Sequence, residues 1–151
     1  MERRGYDTSK PALSWVTGFW LVSIVAACEP IWATPEGRAR EFIEALVMAP
    51  SGQEQLRDIA NLSPEREPDD LVDGLSARVG LDYLRAMQSR EVPLTFVQGE
   101  SRQTGEARRT VKIHVTYLQP GTPATAEVRF LVRIEKAGGN RWHIARVTGD
   151  N

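Results

Sequence analysis

The chain has a single cysteine, Cys28, among its 151 residues. That excludes an internal disulfide and a cysteine-rich zinc site. Histidine is almost as scarce, with only His114 and His143. No Ser-centred elbow, phosphate loop or zinc-protease motif occurs, so none of the common catalytic signatures is present. Charge of either sign is not in excess: the formal net charge is -1. Strong whole-chain attraction to nucleic acid is therefore not expected. Glycine and proline number 12 and 9, an ordinary share that excludes collagen-like and low-complexity readings. With 41% apolar and 26% charged residues, the composition is that of one folded domain.

The one long stretch without charge is Pro11 to Ala27, and it follows a short segment bearing Arg3, Arg4 and Lys10 against Glu2 and Asp7. A basic start followed by an apolar run and small residues is the pattern of an export signal. The basic end stays on the cytoplasmic side while the apolar run enters the bilayer. The run closes on Val25-Ala26-Ala27-Cys28. These residues resemble the lipobox of bacterial lipoproteins. The resemblance implies lipid attachment at Cys28, cleavage after Ala27, and a signal peptide over 1–27. It further implies a lipidated tether over 28–33 and a domain over 34–151, anchored to a membrane on the periplasmic or extracellular side of the cell envelope. In a Gram-negative host, Glu29 after the cysteine implies the outer membrane. The alternative is an uncleaved anchor: Pro11 to Cys28 would make a helix of roughly 27 Å, slightly short of the hydrocarbon core.

Beyond the leader, Thr34-Pro35-Glu36 predicts a helix start, with Thr34 as cap and Pro35 in the first turn. Ala39, Phe42, Ile43, Leu46 and Val47 form its apolar stripe, and Pro50 ends it. Ser51 and Glu54 have capping-box spacing for a short second helix carrying Leu56 and Ile59. A third helix is expected from about Asp69, with Leu71, Val72, Leu75 and Val79 on one stripe. Gly80 is expected to break or bend it, before Leu81, Leu84 and Met87.

After Pro93 the period changes. Leu94 to Val97 predicts a strand, and Gln98 to Ala107 a loop. Val111, Ile113, Val115 and Tyr117 alternate with Lys112, His114 and Thr116, and Ala126, Val128, Phe130, Val132 and Ile134 alternate with Glu127, Arg129, Leu131, Arg133 and Glu135. Gly138-Gly139-Asn140 predicts a hairpin turn, and Trp142 and Ile144 the core face of a last strand. Helices followed by antiparallel strands predict an α+β fold, with N-terminal helices packed in a curved antiparallel sheet of about four strands. The amphipathic first helix, the long strands and the closing Gly-Gly-Asn-Arg-Trp-His-Ile-Ala-Arg-Val resemble the cystatin-like cone of ketosteroid isomerase and nuclear transport factor two.

Charge divides along the domain. Glu29 to Val92 has 7 basic and 13 acidic residues, and Pro93 to Asn151 has 9 and 5. Lys112, Arg129, Arg133 and Arg141 are expected on the solvent face of the sheet, balanced by Glu127 and Glu135 in cross-strand pairs. The two histidines should also face solvent without completing a metal site. Asp69, Asp70 and Asp73 lack a calcium-loop pattern.

No catalytic residue, cofactor, metal or nucleic-acid partner is expected. The resemblance implies acids or a Tyr lining the mouth of the cone, for which Tyr83, Tyr117 and Asp82 are the candidates; Tyr83, Tyr117 and Trp142 are taken as ligand-binding. The expected function is a binding or assembly role in the cell envelope, through the membrane anchor and an envelope protein partner. The alternative is a small-ligand carrier or isomerase-like enzyme using the interior of the cone.

Overall fold

The computed structural model describes residues 34–137 and 141–150. The expected leader, Cys28, the tether and the Gly138–Asn140 turn lie outside the described residues. Three α-helices come first: α1 Pro35–Met48, α2 Gln53–Ala60 and α3 Leu75–Ser89, with a short 3-10 turn at Pro68–Leu71. Four strands follow: β1 Thr95–Gly105, β2 Arg108–Leu118, β3 Thr125–Ala137 and β4 Arg141–Gly149. They form one antiparallel meander in the order β1-β2-β3-β4. This is the α+β architecture expected from the sequence. Among the described residues no helix is long and apolar enough to cross a membrane.

The first helix follows its sequence signals closely. The Thr34 hydroxyl accepts from the Gly37 N–H at 3.0 Å, and Pro35 occupies the first turn. Ala39, Phe42, Ile43, Leu46 and Val47 are all fully buried. They meet Val111, Ile113 and Val115 of β2, Phe130, Val132 and Ile134 of β3, and Ile144 and Val147 of β4 in one core. Removing this much apolar surface from water, at roughly 25 cal/mol per Å², is the main drive for folding.

Five expectations need correction. The second helix starts one residue later than a Ser51 cap requires: Gly52 is its N-cap and makes no side-chain cap bond. The third helix does not begin near Asp69. Gly74 adopts φ +88°, a conformation that separates the 3-10 turn from α3. The buried stripe of α3 is Ala77, Leu81, Leu84 and Met87, whereas Leu75 and Val79 are 78% and 57% exposed. Gly80 does not break α3, which runs through it to Ser89. It sits mid-helix because a Cβ there would lie only 2.9 Å from Val128 Cγ1. Finally, the expected loop over 98–107 is mostly strand. β1 runs on through polar residues to Gly105, with irregular register between Gln98 and Ser101. An edge strand satisfies its backbone on one side only and needs no apolar alternation, so its period is invisible in the sequence.

A register shift between Arg133 and Ile134 in the β3–β4 ladder alters the phase of β4. Strict alternation from Trp142 and Ile144 would turn Arg146 inward. The extra residue lets Val147 enter the core instead, fully buried, while Arg146 stays exposed and pairs with Asp73.

Candidate functional site: a groove between the third helix and the sheet

The exposed large hydrophobic residues of α3 are Leu75, Val79 and Tyr83, four apart, which places them on one ridge of the helix. This ridge stands beside the buried stripe, so α3 covers the sheet with one face and offers a second apolar face sideways. Between it and the start of β3 lies an open groove of about 790 Å³. Gly80, Tyr117 and Val128 line it, while Ser76, Glu127, Arg129 and Asp150 contribute its polar side. β4 ends at Gly149 opposite Phe130, leaving the first part of β3 without a neighbour on that side. Glycine at 80 keeps helix and sheet close there, and glycine at 149 does so against Ser76, whose Oγ would lie 2.3 Å from an added Cβ.

Two of the expected ligand residues meet in this groove. The Tyr83 and Tyr117 ring centroids are 5.6 Å apart, at 49°. Tyr117 is 7% exposed and Tyr83 41%. Burial, together with the hydrogen bond to Tyr83, pushes the Tyr117 hydroxyl up to about 12. Tyr117 is therefore a neutral donor over the whole physiological range.

Trp142 does not join them. It pairs with Lys136, whereas Tyr117 pairs with Ala126, ten residues away along β3 and about 33 Å at the usual strand rise. Trp142 is packed at the opposite end of the sheet, with the Lys136 ammonium 5.1 Å from its ring centroid. Asp82 also faces elsewhere. It approaches Arg85 at 3.8 Å and lines a separate hollow with Asp69, Val72 and Arg78.

The carboxylates at the groove rim already have basic partners. Glu127 Oε1 lies 3.1 Å from His114 Nδ1 and 3.2 Å from Arg129 Nε. Asp150 Oδ2 lies 2.7 Å from Lys112 Nζ, a contact that holds its carboxyl below the usual range despite partial desolvation. His114 is thus half-buried, against Gly99 and Glu127, rather than freely solvated. His143 pairs with Glu135 in the β3–β4 ladder, six residues along β3 from the register position of His114, so the two histidines stand about 20 Å apart. Among the described residues no group of His, Cys, Asp or Glu could hold a metal ion. Tyr83 and Tyr117, singled out in the sequence, come together here, whereas the ridge was not legible there because Leu75 and Val79 have the spacing of a core stripe.

The scan against protein-family models gave no match, nor did the search among curated proteins. Two solved structures are similar in part. One is a variant of Rd1NTF2_05 with five substitutions, 18% identical, TM-score 0.44, with 74% of this chain and 96% of that chain covered. The other is Rd1NTF2_05 with long sheet, 16% identical, TM-score 0.38, with 74% and 94% covered.

Proposed function

We propose that this chain is an exported, membrane-tethered binding module of the cell envelope, with a cystatin-like domain held by lipid on Cys28. Its binding site is the groove between α3 and β3. The observation that carries the binding role is the ridge of Leu75, Val79 and Tyr83, solvent-exposed beside a concave, partly apolar surface. Apolar side chains of this size, clustered on one face, mark a surface that gains by being covered. The leader pattern and the lipobox residues Val25-Ala26-Ala27-Cys28 support the anchor.

Binding is favoured over catalysis by the state of the polar groups. Glu127 and Asp150 are each held by basic neighbours, and the Tyr117 proton is held tightly. A second reading, a small-ligand carrier, rests on the Tyr117–Tyr83 pair, which can offer hydroxyls to a ligand acceptor at one end of the groove.

Native mass spectrometry of the full chain extracted from membranes tests both halves. The expected result is a cleaved, acylated species that disappears in Cys28→Ser, and a bound adduct lost in Val79→Glu but kept in Leu118→Glu. Absence of any acylated species overturns the anchor. Equal retention of the adduct in both groove and control variants overturns the groove.

A further inference from the structure

The strands run so that the two ends of the sheet differ in chemistry. At one end lie the β2–β3 turn and the groove; Gln119 to Ala124 in that turn contains no charged residue. At the other end lie the end of β1, the start of β2, the end of β3 and the start of β4. There Arg102, Arg108, Arg109, Lys136 and Arg141 stand against Glu100, Glu106 and Glu135, together with Glu36 of α1; Glu100 pairs with Arg102 at 3.1 Å and Glu135 with Arg108 at 3.2 Å. Arg108 and Arg141 are exposed, and Trp142 lies under Lys136 at the same end. The Lys136 N–H donates to the Ala107 carbonyl at 2.8 Å, which draws the end of β3 onto the β1–β2 turn.

The chain enters the domain at this basic end. Glu36, two residues after the Thr34 cap, accepts from the Ser101 hydroxyl at 2.6 Å and pairs with Arg109. The N-terminus of α1 is thereby pinned beside the start of β2. From Cys28 to Thr34 is six residues, which reach roughly 20 Å at full extension.

We propose that this basic end of the sheet, formed by Arg102, Arg108, Lys136, Arg141 and Trp142, docks on the anionic lipid headgroups of the membrane to which the chain is tethered, so that the groove opens on the side away from the bilayer. The proposal rests on the tether reading. Arginine and lysine are drawn to a negative surface within a Debye length, and tryptophan favours the headgroup region. A few charges alone recruit a protein weakly. A leash of six residues removes that weakness by raising the effective concentration of the surface beside the patch. The basic end then sets orientation, and the partner of the groove comes from the aqueous side.

The test uses the full chain in vesicles of phosphatidylcholine and phosphatidylglycerol carrying a nitroxide-headgroup lipid. A fluorophore is placed through Glu106→Cys at the basic end or Thr122→Cys at the groove end. Quenching is expected to be several-fold stronger at 106 than at 122. The preference should vanish in the triple variant Arg108→Gln, Lys136→Gln, Arg141→Gln, and in vesicles of phosphatidylcholine alone. Equal quenching at both positions, or a preference unchanged by the triple variant or by neutral lipid, overturns the docking. The parent chain reports on the tether separately, because an acylated Cys28 takes no dye. A blocked Cys28 with equal quenching overturns the docking alone, whereas a parent that labels at Cys28 overturns the tether and the docking with it.

Discussion

Gly80 of α3 and Val128 of β3 approach so closely that a Cβ on the glycine would stand 2.9 Å from Val128 Cγ1. Their closeness sets how near the helix lies to the sheet, and so the shape of the groove floor. Gly80→Ala gains up to about 1 kcal/mol of helix propensity and meets an overpacking cost of about 1–3 kcal/mol. The expected net result is a loss on the order of 1 kcal/mol in urea unfolding. A gain in stability would show that helix and sheet part freely at this point.

The exposed ridge makes the opposite prediction. Leu75→Glu and Val79→Glu alter no buried contact, so stability should stay within about 0.5 kcal/mol of the parent. Binding to the groove should nevertheless fall at least tenfold, since a carboxylate would be set against an apolar partner. A large stability loss in either variant, seen by thermal melting, would mean that the ridge is packed rather than presented.

Tyr117 should ionise late. Its folded pKa of about 12 lies above the ordinary value of 10, so the neutral form is favoured by folding. The contribution is fully present below pH 10 and is lost as pH rises toward 12. Tyrosinate absorbance should show a late phase that Tyr117→Phe removes. A titration from which Tyr117→Phe removes no phase above pH 10 would contradict the buried, hydrogen-bonded hydroxyl.

Glu36 gives a prediction at acid pH. Burial raises its carboxyl, but the hydrogen bonds from Ser101 and Arg109 outweigh it and hold the group below its ordinary 4.5. A depressed folded pKa stabilises above the unfolded value and ceases to do so as pH falls through the folded one. Glu36→Gln should therefore cost about 1–3 kcal/mol at pH 7 through the partly buried Arg109 it leaves behind. Urea midpoints of parent and variant should converge on acidification. A difference that persists unchanged in acid would point to lost packing instead of lost charge.

Much of the fold is legible in the chain because its signals are local. Thr34, Pro35 and the spacing of Phe42, Ile43 and Leu46 specify α1, and Val111 to Tyr117 specify β2, since each strand or helix period follows from its own backbone geometry. Neighbouring residues do not encode the rest. The polar length of β1 depends on β2 offering its hydrogen bonds, and the inward turn of Val147 depends on a bulge against β3.

The sequence by itself determined that an uncharged, apolar run ends on a lone cysteine, that helices precede strands, and which face of β2 and β3 is apolar. Only the tertiary structure decided that Leu75 and Val79 stay exposed, that Tyr83 meets Tyr117 while Trp142 lies at the far end, and that the basic residues gather where α1 begins. The physical reason is that an apolar helix position has two possible faces to fill. Which one is buried depends on how closely the neighbouring sheet approaches, and here Gly80 permits that approach against Val128.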